Sequence, residues 1–133
     1  MKLSLVVPCY NEEANVKRFF NEVNSAFLCN IDDYEFVFVN DGSKDKTYEN
    51  LKELYEESSV YNIQVLSFSR NFGKESAIYA GLKEAKGDYV CIIDADLQQR
   101  PEVVLQMLKE IEEDESIDCV AAYQEELQRR HPK

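Results

Sequence analysis

The sequence predicts an α/β fold in which helices cover both faces of a mainly parallel sheet. Short apolar segments alternate along the chain with longer segments in which apolar residues recur at helical spacing. The short segments are apolar at nearly every position, which is typical of parallel strands buried on both faces. The 133 residues can bury one core of this kind, and no internal repeat or low-complexity tract divides them.

The first half of the chain contains two predicted strands and two predicted helices. Apolar and β-branched residues indicate strands over residues 3–8 and 34–39. The helix between them is expected to have Asn11 as its cap and two acidic residues, Glu12 and Glu13, in its first turn. The next helix is indicated by residues at helical spacing, namely Tyr48, Leu51, Leu54 and Tyr55.

The second half continues the same alternation. Strands are predicted over residues 63–68, 89–93 and 118–122. Pro101 suits the first position of a fourth helix, where no backbone N–H is needed. The third helix has a slim face that would let it pack close to the sheet, formed by Ala77, Ile78, Gly81, Leu82 and Ala85.

Composition excludes several classes of function. The chain carries 26 acidic and 15 basic residues, and this net charge of −11 disfavours nucleic acid as a partner, because phosphate backbones recruit Lys and Arg. No apolar run reaches the roughly 18 residues that a membrane-spanning helix needs. The four cysteines are dispersed and are expected to be small buried hydrophobes in a reducing cytosol, so the predicted localisation is cytoplasmic.

Polar residues follow each of the first four predicted strands, at the point where the strand ends. Because the carboxyl ends of parallel strands meet at one edge of a sheet, these groups should converge on the crevice where such sheets bind ligands. Taken singly, each group also has an ordinary structural explanation as a helix cap or a turn. The convergence is the stronger observation, and it involves residues 8–12, 40–43, 69–74 and 94–96.

The last group carries two carboxylates, Asp94 and Asp96, directly after an apolar strand. Mg²⁺ is commonly held by one or two carboxylates, while water and substrate phosphate oxygens complete its coordination. A divalent cation would also offset the repulsion between this acidic chain and an anionic ligand. The pair therefore predicts a metal-bridged diphosphate at this edge of the sheet.

Four motifs occur along the chain in the order PCYNEE, NDGSKDKT, SRNFGK and DADLQ, one after each of the first four strands. Together they resemble the nucleotide-binding half of family 2 inverting glycosyltransferases, which have a Rossmann-like GT-A fold. Dolichol-phosphate mannosyltransferases and bactoprenol glucosyltransferases are the members with the closest likeness. The resemblance covers about residues 1–122, and residues 123–133 are expected to begin an acceptor-side region that is cut short.

The resemblance implies transfer of a sugar, with inversion, from a UDP- or GDP-sugar and with Mg²⁺ or Mn²⁺. The acceptor would be a polyprenyl phosphate at the cytoplasmic face of a membrane, or a saccharide. A phosphate acceptor has a second pKa of about 6, so it is anionic at neutral pH and needs no general base. The chain offers no obvious base, which suits such an acceptor.

The resemblance also assigns donor-binding roles by position. It places Pro8, Tyr10 and Glu12 around the nucleoside of the donor. Val39 and Asp41 would line the pocket for the base, and the carboxylate of Asp41 would accept a hydrogen bond from a base N–H.

A second set of positions belongs to the phosphate end of the donor. Arg70 would be the cation near the nucleotide, and Asp94 and Ala95 would contact the ribose and the diphosphate. Asp96 would bind the metal and act in catalysis through it. Gln98 would be a second metal ligand or a group beside the metal.

The chain departs from the family after the predicted fifth strand. Relatives often carry an arginine just after that strand. In this chain the first arginines that follow the predicted fifth strand are Arg129 and Arg130. The donor site looks complete and the acceptor site looks missing or altered, so little or no sugar transfer is expected from these residues alone. A non-catalytic nucleotide-sugar-binding module or partner subunit stays open as an alternative. A signalling receiver domain is disfavoured, because strand one leads directly into residues 8–11 (PCYN), where such domains have paired acids, and no lysine follows the fifth strand closely.

Overall fold

The computed structural model describes residues 2–57, 62–96 and 101–113. The chain forms two compact units, Met1–Gln99 and Arg100–Lys133. The described residues of the second unit form α4 (Pro101–Glu113). Strands and helices alternate in the first unit, in the order β1 (Lys2–Cys9), α1 (Val16–Leu28), β2 (Asp33–Asn40), α2 (Thr47–Glu57), β3 (Ile63–Ser67), α3 (Lys74–Glu84) and β4 (Tyr89–Ile92).

The four strands form one parallel sheet in the order β3-β2-β1-β4. The chain adds β2 and β3 on one side of β1 and then returns to add β4 on the other side. Right-handed connections place α1 and α2 on one face of the sheet, and the reversal puts α3 on the opposite face. The predicted parallel α/β fold with helices on both faces is therefore confirmed.

Aromatic rings from α1 and β2 fill one face of the sheet. Phe19 meets Phe36 and Phe38 edge to face, with ring centroids 6.3 and 6.2 Å apart. The rings of Phe36 and Phe38 stack at 5.6 Å. All three side chains are fully buried, and such ring pairs add about 0.5–1.5 kcal/mol each beyond the area they bury. This cluster holds α1 against β2.

On the opposite face, α3 packs closely because a glycine lies in its middle. A Cβ at Gly81 would lie 2.4 Å from Cγ1 of Val6, well inside van der Waals contact. Ala77, one turn earlier, is fully buried in the same core. The predicted slim face is confirmed for these two residues, whereas Leu82 is 43% exposed.

The start of α1 differs from the prediction. Its N-cap is Asn15, and its first turn contains no acidic residue. Asn11 lies outside the helix with a φ of 54°, and its side-chain carbonyl accepts a hydrogen bond from the N–H of Lys44 at 2.9 Å. The predicted cap at Asn11, with Glu12 and Glu13 in the first turn, is wrong, because a loop distant in sequence engages that side chain.

The burial of β4 also differs from the prediction. A strand buried on both faces was expected from its apolar run, but Val90 and Ile92 are each 42% exposed. Among the described residues β4 pairs with β1 alone, so it is an edge strand of the described sheet. An apolar run therefore predicts that a strand exists, but not where the strand lies in the sheet.

In the second unit, α4 has Pro101 as its first residue, as predicted, and its side chains Val104 and Leu108 are buried. The predicted fifth strand over residues 118–122 and the predicted boundary after it lie outside the described residues. None of the described helices is both long and apolar enough to cross a membrane.

Candidate functional site

A cavity of about 250 Å³ opens at the carboxyl edge of the sheet, beside the ends of β1 and β4. The strand order reverses between these two strands, and open α/β sheets bind their ligands where the order reverses. The structure brings six of the ten residues predicted for the site to this cavity. Among the described residues, the lining consists of Pro8, Cys9, Tyr10, Glu12, Asp41, Lys74, Asp94 and Asp96.

The two carboxylates after β4 stand on either side of a buried residue. Ala95 is fully buried, whereas Asp94 and Asp96 both reach the cavity. In the described part of the chain, no group of three or more His, Cys, Asp or Glu side chains is arranged to hold a metal ion. Two carboxylates lining one cavity nevertheless fit Mg²⁺ or Mn²⁺, since such ions take further ligands from water and phosphate oxygens.

Asp41 is the most buried acid of the cavity, with 3% of its surface exposed. Its carboxylate accepts three hydrogen bonds from the segment that leads into α3: from Nδ2 of Asn71 at 3.0 Å, from the N–H of Phe72 at 2.8 Å and from the N–H of Gly73 at 3.1 Å. The base contact predicted for Asp41 stays a prediction. A base N–H would have to share an oxygen that already accepts from this segment.

The turn after β2 packs directly against the same segment. Gly42 has a φ of 65°, and a Cβ at this position would lie 2.1 Å from the carbonyl carbon of Arg70 and 2.3 Å from the nitrogen of Asn71. Neither the backbone conformation nor the available space admits a side chain. The turn and the segment before α3 are therefore in direct backbone contact next to Asp41.

The segment after β1 is held by the loop between β2 and α2 and by the first residue of α2. The N–H of Asn11 donates to Oγ of Ser43 at 2.9 Å, and the N–H of Glu12 donates to Oγ1 of Thr47 at 2.8 Å. The Thr47 hydroxyl donates in turn to the carboxylate of Asp45. Burial would raise the pKa of Asp45, but hydrogen bonds, chiefly from Thr47, outweigh it and lower that pKa. This network anchors Glu12 at the cavity.

Four predicted site residues are not among those that line the cavity. Val39 is fully buried in the core beneath α3, and Ala95 is likewise buried. The guanidinium of Arg70 lies over the ring of Phe72, 4.7 Å from its centroid. Gln98 lies outside the described residues. The roles assigned to these four residues remain predictions.

Two lining residues, Cys9 and Lys74, were not predicted for the site. Burial, followed by the charges of Glu12 and Asp94, raises the pKa of Cys9 far above its usual range, so its thiol stays protonated. Lys74 begins α3, and its Nζ lies 2.8 Å from Oδ1 of Asp94. The position of Lys74 in the SRNFGK motif could have indicated that it belongs to the site. The motif does not show that its side chain pairs with Asp94, just after β4.

The sheet order and the cavity at its reversal define a Rossmann-like fold, and likeness to a solved glycosyltransferase places it in the GT-A class. This fold is similar to that of the mannosyltransferase PcManGT from Pyrobaculum calidifontis, solved in complex with GDP-Man and Mn²⁺. The TM-score is 0.71 and the identity 23%, over 90% of this chain and 35% of that chain. The chain belongs to glycosyl transferase family 2, which it matches over residues 4–133.

Curated relatives agree with this membership. The dolichol-phosphate mannosyltransferase of Pyrococcus furiosus is 37% identical over 123 residues, which cover 92% of this chain and 34% of that relative. The bactoprenol glucosyl transferase of Shigella phage SfV is 43% identical over 109 residues, which cover 82% of this chain and 35% of that relative. The chain spans about a third of the length of these relatives. The family resemblance carried by the four motifs is confirmed.

Proposed function

We propose that this chain binds the nucleoside diphosphate of a UDP- or GDP-sugar, together with Mg²⁺ or Mn²⁺, in the cavity beside the ends of β1 and β4. It would form the donor-binding half of a glycosyltransferase that transfers the sugar with inversion. The observation that carries the proposal is the convergence of six predicted positions, from the ends of three strands, on one cavity. Membership of glycosyl transferase family 2 supports the class of reaction.

At one end of the cavity, the nucleoside of the donor contacts Pro8, Tyr10 and Glu12. Tyr10 is 43% exposed, so it presents a ring on which a base or a ribose can lie. Asp41 lines the pocket for the base, and Val39, which is fully buried, supports that pocket from the core. The hydrogen bonds that hold the Asp41 carboxylate keep it in place before a ligand arrives. Such preorganisation reduces the entropy lost on binding.

On the phosphate side, Asp94 contacts the ribose and the diphosphate, and the buried Ala95 fixes the backbone between the two carboxylates. Asp96 holds the cation with help from Gln98. When bound, the cation supplies Lewis-acid stabilisation of the leaving diphosphate. Mn²⁺ bound with GDP-Man in PcManGT supports this choice of cofactor. Arg70 acts near the phosphates only if its guanidinium leaves the aromatic ring that it covers.

The acceptor in this proposal is a polyprenyl phosphate, with a saccharide as the alternative. The names of two relatives, a dolichol-phosphate mannosyltransferase and a bactoprenol glucosyl transferase, support the lipid. A phosphate oxygen that is already anionic at neutral pH attacks without a general base. A saccharide hydroxyl would need a general base, and for that role the described cavity lining has carboxylates but no histidine.

Titration calorimetry with UDP, GDP and Mn²⁺ tests the donor site. We expect one of the two nucleotides to bind in the presence of Mn²⁺ and to bind at least about tenfold more weakly in its absence. Asp96→Ala should reduce metal-dependent binding to a similar extent, because it removes a carboxylate ligand of the cation.

Asp88→Ala is the matched control, since Asp88 lies just before β4, at the opposite end of the strand from Asp96. It changes the net charge by the same amount and should leave nucleotide binding unchanged. Binding of neither nucleotide, or equal binding by wild type and Asp96→Ala, contradicts the proposal.

A further inference from the structure

Lys74 is the one basic residue among the described residues that line the cavity, and the other charged ones are acidic. It lines the cavity together with the four acids Glu12, Asp41, Asp94 and Asp96. Its ammonium lies 2.8 Å from Oδ1 of Asp94. The carboxylate expected to contact the ribose and the diphosphate therefore already has a cationic partner.

This ion pair differs from the contacts made by Asp41 in the same cavity. The side chains of Lys74 and Asp94 are 59% and 48% exposed. An exposed ion pair contributes only about 0–1 kcal/mol, so its members exchange partners at little cost. Asp41 is buried and bonded to backbone N–H groups, which cannot exchange without moving the chain.

We propose that Lys74 is a partner-switching residue. In the ligand-free cavity its ammonium neutralises Asp94. When a divalent cation enters beside Asp94 and Asp96, the ammonium is displaced by like-charge repulsion and moves to the diphosphate of the nucleotide. This inference rests on the proposed donor site and adds to it a residue that couples the two ligands.

The switch makes the cation and the nucleotide bind cooperatively. A cation that enters alone must displace the ammonium, which then has no anionic ligand to meet. A nucleotide that enters with the cation accepts the displaced ammonium on its phosphate oxygens. Because coupling between two ligands is reciprocal, each should raise the affinity for the other by the same factor.

Lys74→Met tests the switch by calorimetry with Mn²⁺ alone, and with UDP or GDP at saturating Mn²⁺. Without the competing ammonium, Mn²⁺ alone should bind about three- to tenfold more tightly. Without the ammonium–phosphate contact, the nucleotide should bind about tenfold more weakly. Coupling between the two ligands should therefore decrease.

Two further variants make the test specific. Lys83→Met removes a lysine near the other end of α3 and should change neither affinity. Lys74→Arg keeps the positive charge and should keep most of the coupling. Should Lys74→Met fail to fold, NMR of the lysine side chains in the wild type replaces it, and the Lys74 signal should shift when Mg²⁺ and nucleotide are added.

The outcomes separate the switch from the donor site itself. If the wild type binds neither nucleotide with Mn²⁺, the proposed function is wrong. If the wild type binds in an Asp96-dependent way but Lys74→Met behaves like Lys83→Met, the donor site stands and the switch is wrong. An unchanged Lys74 signal through both additions also overturns the switch.

Discussion

The two ends of α3 are held by buried carboxylates that use the same chemistry. Just before the helix, the N–H groups of Phe72 and Gly73 donate to Asp41, which directly follows β2. Beyond the other end of the helix, the N–H of Lys86 donates to Glu35, which lies on β2, at 2.6 Å. Each acid is 3% exposed. Strand β2, together with the residue that directly follows it, thus anchors both ends of the helix that packs on it.

The remaining partners of the two acids differ. Glu35 accepts from the hydroxyl of Ser4 at 2.6 Å and from the amide of Gln64 at 2.9 Å, so it joins β1, β2 and β3. Asp41 lines the cavity, whereas Glu35 is not among its lining residues. A buried acid therefore serves the fold alone at one end of α3, and the fold together with the candidate site at the other end.

Alanine in place of either acid should produce the largest effect on stability. Asp41→Ala and Glu35→Ala should each lower the free energy of unfolding by about 3 kcal/mol, because each leaves several donors without their charged acceptor. Only Asp41→Ala should also abolish nucleotide binding in the proposed donor site. Urea unfolding and calorimetry on the folded fraction measure the two effects. Equal loss of nucleotide affinity in both variants would remove the distinction between the two ends.

Alanine in place of either of two glycines near Asp41 should have an effect of intermediate size on the free energy of unfolding. Gly42→Ala should lower the free energy of unfolding by about 2 kcal/mol or more, because φ is 65° and the added Cβ meets the backbone of Arg70. Gly73→Ala should lower it less, by about 1–2 kcal/mol, because nothing lies within 4 Å of the added Cβ and only the backbone strain at φ 104° and ψ 157° remains. Urea unfolding checks the order of the two variants. The reverse order would show that close backbone contact does not define this end.

The pH dependence of stability should show a smaller effect at the Glu35 end. Burial would raise the pKa of Glu35, but hydrogen bonds from Ser4, Lys86 and Gln64, with the charge of Lys2, outweigh it and lower that pKa. A lowered pKa stabilises the fold fully above the ordinary glutamate value of about 4.3, and this stabilisation is lost as the pH falls through the lowered value.

The difference in free energy of unfolding between wild type and Glu35→Gln measures this contribution. It should be about 1–2 kcal/mol at pH 7 and should shrink in acid. Glu56→Gln, at an exposed position on α2, is the control and should differ little from wild type at either pH. A difference that grows on acidification would mean that the fold does not favour the charged form of Glu35.

Local pattern was enough to predict the order of the elements and the edge of the sheet at which the cavity of the candidate site opens. Apolar runs located β1 to β4, and helical spacing located the four helices. The polar groups after the strands could be assigned to one edge because parallel strands all end there. These properties depend on neighbours along the chain, which a sequence displays directly.

The partners of individual side chains could not be predicted in this way. Asn11 binds the loop after β2 and does not cap α1, Val39 packs beneath α3, and Lys74 pairs with Asp94. Each contact joins residues that are well separated along the chain. Whether such residues meet depends on how α3 and the loops pack on the sheet, and periodicity along the chain contains no information about that packing.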